Sequence, residues 1–196
     1  SIRREKAVMA LKLKTPPAVL PVSLAEAKAH LRIDHTDDDA LITGLIEAAT
    51  SHLDGYAGIL GRCLISQTWE LVLDDFSDAM MFPKGPVTAV SSVKYIDTAD
   101  VEQTVTDTNY TLDDASDPQW LVKASDYTWP AVANGVNNVV IRFVCGYATL
   151  PPSIKHAILL LIAQWYDNRA DATDKPLIAM PNAVEALLTN YRSYAQ

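Results

Sequence analysis

Asp34-His35-Thr36-Asp37-Asp38-Asp39 is the one stretch whose crowded oxygen donors could hold a divalent cation for metal-dependent hydrolase or nuclease chemistry. It lacks the central glycine and distal glutamate of a calcium-binding loop. Carboxylates also gather at helix N-termini, where free amides and the macrodipole favour negative charge, and capping is the expected role here. His30, His35, His52 and His156 form no H-E-x-x-H pair, so no helix face offers two imidazoles beside a general base. Asp74-Asp75 and Asp113-Asp114 could supply the paired carboxylates of glycoside hydrolysis, but adjacent acids in turns are usually solvated turn formers. The sequence contains neither a phosphate-cradling glycine loop nor a G-x-S-x-G elbow, and nothing around Cys63 or Cys145 marks a nucleophile. No catalytic residue, metal ligand or cofactor is expected.

Aromatic and arginine side chains offer contacts instead of chemistry. Trp165, Tyr166 and Arg169, and later Tyr191, Arg192 and Tyr194, belong to residue types enriched in interface hot spots. Core packing competes for these side chains and is the expected role of Trp165. For Arg192 and Tyr194 an interface is at least as well supported.

The elements that must position these residues follow from periodicity and capping. Ser23 and Glu26 have capping-box spacing before a helix over 24–33. Leu41, Ile42, Leu45, Ile46, Ala49, Leu53 and Tyr56 recur at helical spacing and predict a second helix over 38–57, ended by Gly58 and Gly61. Between Leu64 and Tyr147 the character changes. Segments 68–73, 87–96, 120–122 and 139–144 are rich in β-branched and aromatic residues, and Pro83-Lys84-Gly85-Pro86, Ser116-Asp117-Pro118 and Asn134-Gly135 are turn chemistries. An antiparallel sheet of about five or six strands is expected. Pro151-Pro152-Ser153 opens a third helix with a stripe of Ile154, Ala157, Ile158, Leu161, Ile162 and Trp165. Asn182 and Glu185 begin a last one carrying Leu187, Leu188, Tyr191 and Tyr194. The fold class is α+β: a small α-helical bundle, two helices from each end of the chain, with an inserted antiparallel β region. The expected divisions are a basic arm or linker over 1–22, N-terminal helices over 23–62, the β region over 63–150 and C-terminal helices over 151–196.

Length and charge bound the function. A chain of 196 residues with 49% hydrophobic and 20% charged residues suits one folded domain, or one domain with a sizeable insertion. A net charge of -8 is the wrong sign for gripping nucleic acid through its phosphates. No apolar run approaches the length of a membrane span, and the N-terminus carries no secretion signal. Two cysteines are too few for a disulfide scaffold and read as reduced core thiols of a cytosolic protein. Arg3, Arg4, Lys6, Lys12 and Lys14 make residues 1–14 a basic arm, within which Met9 is a candidate natural start, and Pro16, Pro17 and Pro21 interrupt regular structure after it. Residues 64–147 are the acidic part of the chain.

The order of segments carries further information. Pro21-Val22-Ser23-Leu24-Ala25-Glu26-Ala27-Lys28-Ala29-His30-Leu31-Arg32-Ile33, followed by Asp37-Asp38-Asp39-Ala40-Leu41-Ile42, closely resembles the opening of head-tail connector (adaptor) proteins of tailed bacteriophages and gene transfer agents. Gly61-Arg62, Gln67-Thr68-Trp69, Pro83-Lys84-Gly85-Pro86-Val87, Ser92-Val93-Lys94-Tyr95-Ile96-Asp97, Trp129-Pro130 and Gly146-Tyr147 continue the resemblance in order. Lys155 to Leu161, Trp165-Tyr166-Asp167-Asn168-Arg169, Leu187-Leu188 and Tyr191-Arg192 complete it across about 20–193.

The resemblance implies a non-enzymatic virion protein, present at the head-tail junction and in the host cytoplasm during assembly. It implies a homo-oligomeric ring of about twelve copies with closed cyclic symmetry. The ring would bind the portal protein, extend the DNA channel and present a surface to a downstream neck or tail protein, with DNA only as transiting cargo and no membrane partner. It places Trp165, Tyr166, Arg169, Tyr191, Arg192 and Tyr194 as candidate portal or partner contacts. An acidic subunit suits a conduit through which DNA must slide. The alternatives are another neck or tail-terminator component, or a metal-dependent hydrolase or nuclease built on the Asp34–Asp39 cluster.

Overall fold

A computed structural model describes residues 9–54, 58–168 and 182–192. Two compact units divide the described residues: a helical unit drawn from 19–65 and 147–192, and a sheet unit drawn from 9–18 and 66–146.

In the helical unit, α1 (Leu24–Leu31) begins with the expected capping box: Ser23 Oγ accepts from Glu26 N at 3.3 Å, and Glu26 Oε2 accepts from Ser23 N at 2.9 Å. It ends at Arg32, whose left-handed backbone (φ 59°) lets its N–H reach the carbonyls of Lys28 and Ala29. The second helix, α2 (Asp39–Leu53), is shorter than the sequence suggests, and of the predicted extension residues 55–57 lie outside the described residues. Gly58 follows because a Cβ there would stand 2.2 Å from the carbonyl oxygen of Asp54, and Gly61 takes a φ of 62° that favours glycine. Helix α3 (Pro152–Asp167) carries proline in its first turn. Helix α4 (Asn182–Leu188) tightens into a 3-10 turn over Thr189–Tyr191, so Tyr191 lies beyond the α-helix expected to contain it.

The helical core has the predicted periodicity. Ile42, Ile46, Ala49 and Leu53 of α2, Ile154, Ala157, Ile158, Leu161 and Ile162 of α3, and Val184 and Leu188 of α4 are buried in one cluster with Ala27 of α1. Spacings of three and four residues keep each set on one face.

The sheet unit departs from the single sheet expected. A five-stranded antiparallel sheet has the order β1 (Ala10–Thr15), β2 (Gln67–Leu73), β8 (Val139–Cys145), β4 (Val87–Ile96), β5 (Glu102–Val105). A separate three-stranded sheet has the order β3 (Ala79–Met81), β7 (Trp120–Lys123), β6 (Tyr110–Asp113). Strands of three or four residues are too short to display alternation, which is why β3, β5 and β6 are silent in the sequence and β7 has no visible partner. The other departure is β1. Residues 10–15 of the basic arm pair with β2, Leu11 opposite Leu71 and Leu13 opposite Trp69. Its alternation of leucine with lysine is that of a strand, and the prolines only end it.

One face of the larger sheet is apolar: Trp69, Leu71 and Leu73 of β2, Val139, Ile141 and Phe143 of β8, Val93 of β4 and Val105 of β5 are all buried. Phe82 and Phe143 pack with ring centroids 4.7 Å apart, and the buried Lys84 ammonium lies 4.9 Å from the Trp69 ring centre. The opposite face carries Lys12, Glu70, Arg142 and Lys94, where Arg142 and Glu70 form an ion pair at 2.6 Å. Cys63 and Cys145 are fully buried and both disulfide-bonded, which corrects the expectation of reduced thiols: bonding depends on tertiary position, which cysteine spacing does not encode. Among the described residues no helix is long and apolar enough to cross a membrane.

Candidate partner-binding surface

The aromatic and arginine residues singled out by the sequence fall in the helical unit, and the bundle uses several of them itself. Trp165 is half-buried against the helical core and meets His52 of α2 edge-on, with ring centroids 6.0 Å apart. Tyr166 also packs on the core, and its hydroxyl donates to the Asp38 carboxylate. Asp38 stands at the N-cap of α2 without a side-chain cap bond, so its carboxylate serves the tyrosine rather than the helix terminus. These contacts leave Trp165 and Tyr166 as bundle-packing residues with one partly exposed side.

Tyr191 and Arg192 are different. Tyr191 packs on the core, and its carbonyl accepts from Arg62 Nε at 2.7 Å, which fixes the turn after α4. Arg192 reaches Glu185 at 3.3 Å through a terminal nitrogen, while its Nε is shielded and has no hydrogen-bond partner among the described residues. Arg169 and Tyr194 lie outside the described residues. Sequence reasoning misses this role of Arg62, because the Tyr191 carbonyl lies 129 positions away and no local pattern encodes the pairing.

The acidic cluster has been drawn apart. Asp39 pairs with Lys28 of α1 at 2.6 Å, Asp38 takes the Tyr166 hydroxyl, and Asp37 is 91% exposed with His35 at 4.0 Å. Among the described residues no group of three or more histidine, cysteine or acidic side chains could hold a metal ion. Glu26, the capping acid of α1, is held down to a pKa of about 2, mainly by the ammonium of Lys155 and then by the Ser23 amide and hydroxyl.

The adjacent acids of the sheet unit close loops. Asp74 Oδ1 accepts from Asn137 N at 2.8 Å, and Asp75 Oδ1 from Phe76 N at 2.7 Å. Asp113 accepts from the Ser116 hydroxyl at 2.6 Å, and this bond leads the contacts holding its carboxyl below the usual range. Asp97 receives Gln103, Val101 and Ala99, and its carboxyl is depressed chiefly by the Gln103 amide.

The family model described as phage gp6-like head-tail connector protein matches residues 21–121. Among solved structures, a chain from the neck of an empty gene transfer agent particle, computed with C6 symmetry, is 27% identical with a TM-score of 0.74, covering 94% of this chain and 95% of that one. A chain from the virion of a native gene transfer agent particle is equally similar, at 27% identity and TM-score 0.74, over 93% and 95% of the two chains. A chain from the neck of the native particle, computed with C12 symmetry, is 27% identical with TM-score 0.66 over 94% and 95%. No curated protein matches the sequence.

Proposed function

This chain belongs to the phage gp6-like head-tail connector protein family, and from that premise we propose how it works. It is a structural connector of the virion. The observation that carries this is that its likeness to a neck chain extends over 94% of its own length and 95% of the other, so both of its units have counterparts there.

The finer reading is a non-enzymatic ring of about twelve copies, because closed cyclic symmetry is the usual solution for identical subunits around one axis. The C6 and C12 symmetries applied to the related necks support that number. The ring sits on the portal protein, lengthens the DNA channel and receives a downstream neck or tail protein, after assembly in the host cytoplasm. Tyr191 and Arg192 are the side chains we assign to the portal contact. Arg62 fixes the turn that carries them, and the Arg192 side chain remains 32% exposed there. Trp165, Tyr166, Arg169 and Tyr194 complete the proposed set of partner contacts.

Electron microscopy of particles made without this gene tests the role. Heads beside separate, complete tails are expected; intact tailed particles would overturn it. Tyr191→Ala with Arg192→Ala should reduce portal attachment while the circular dichroism of the free subunit stays unchanged, and undiminished attachment would remove these two residues from the contact.

A further inference from the structure

Resting on the ring reading above, we propose that neighbouring copies join through the two edges of the five-stranded sheet, β1 of one copy lying alongside β5 of the next. A ring of more than two identical subunits needs two different patches on each copy that meet head to tail. The sheet ends in two such patches: β1 and β5 terminate its strand order, and among the described residues neither outer edge meets a further strand. Each therefore presents a row of backbone donors and acceptors suited to a strand from another chain.

The two edges differ in charge. Lys12 and Lys14 are exposed on β1. On β5, Glu102 pairs with Lys94 of β4 at 2.6 Å yet stays 59% exposed, and the turn leading into the strand holds Asp97 and Asp100. Two β1 edges would set lysine against lysine and two β5 edges acid against acid, both unfavourable across strands. Only the unlike pairing is attractive, and it is the one that propagates around a ring instead of stopping at a dimer.

The side-chain alternation also matches. Successive antiparallel neighbours leave β1 and β5 running in the same direction, so their joint is parallel. Leu13 stands opposite Trp69 on the apolar face, and Val101 continues the alternation of Gln103 and Val105 on that same face. Both are exposed apolar residues, at 48% and 50%. Lys12 lies on the other face, opposite Glu70, and Glu102 shares that face through Thr104 and Lys94. An in-phase joint brings leucine to valine on one face and lysine to glutamate on the other.

Charge reversal tests the joint in whole particles, with necks counted by cryo-electron microscopy and the fold of each free subunit checked by circular dichroism. Lys12→Glu with Lys14→Glu, and separately Glu102→Lys, should each lower neck-bearing particles at least about tenfold, since every joint in the ring is affected at once. The triple variant, which exchanges the signs of the two edges, should recover to within about twofold of wild type. Folded single-edge variants with undiminished necks, or a triple variant no better than its parents, would overturn the edge joint. Wild-type necks that do not contain this chain would instead overturn the connector reading on which it rests.

Discussion

In the helical unit three acidic side chains tie one helix to another, whereas in the sheet unit Asp75, Asp97 and Asp113 each accept from backbone amides of their own loop. Lys155 of α3 reaches Glu26 of α1, Tyr166 of α3 reaches Asp38 at the start of α2, and Lys28 of α1 meets Asp39 of α2. In the sheet unit Asp97 binds the backbone of Ala99 and Val101, and Asp113 binds Ser116. The same residue type therefore does different work in the two regions. Asp97 and Asp113 close turns in one, and Glu26, Asp38 and Asp39 register helices in the other.

Beneath those surfaces the cores also differ, aliphatic in the bundle and partly aromatic in the sheet unit, and truncation sharpens that contrast most. Phe143→Ala removes a fully buried ring packed on Phe82 and should cost about 3–5 kcal/mol, against about 2–5 kcal/mol for Ile158→Ala in α3, both measured by urea denaturation. A smaller loss from Phe143 than from Ile158 would reverse the expected order of the two cores.

The next test concerns buried polar groups. Asn138 is 8% exposed and donates to the carbonyls of Ala133 at 2.7 Å and Asp74 at 3.2 Å. Asn138→Ala strands both acceptors and should cost about 1–3 kcal/mol by the same measurement. An unchanged midpoint would show that the sheet unit's loops do not depend on this side chain.

How far the fold is legible in the sequence follows the same division. Capping and periodicity are local, so Ser23 with Glu26, the α2 stripe, Pro152 at the head of α3 and the full span of β4 are all readable. Pairing is non-local. Nothing near Leu11 announces Leu71 as its neighbour, and the three residues of β3 carry no period, so the arm conceals a strand and one expected sheet is two. Of the candidate surface, residue type was legible and context was not. Trp165 joins the α3 stripe as its spacing implies, whereas the Arg62 bond to the Tyr191 carbonyl depends on residues far apart in the chain.

Two smaller effects probe the registration of α1. Ser23→Ala removes one half of the capping box and should lower stability by about 1 kcal/mol in thermal or urea melts. The Glu26–Lys155 pair gives a pH dependence of defined sign. Because the folded-state pKa of Glu26 is lowered from 4.5 to about 2, its contribution is present above pH 4.5 and is lost as pH falls through that window. The partners are about 37% and 45% exposed, so the effect is small. Lys155→Met should flatten this part of the acid titration of stability, and an unaltered profile would assign the Glu26 shift to Ser23.

The helical unit is assembled from two stretches of chain separated by Ser66–Gly146. During synthesis α1 and α2 leave the ribosome while α3 and α4 are still unmade, an interval on the order of ten seconds at ordinary elongation rates. For that interval Ile42, Ile46 and Leu53 have no α3 to cover them. The nascent chain thus spends a set time as a sticky half-bundle, and chaperone capture and the pace of translation become part of how many subunits reach a particle.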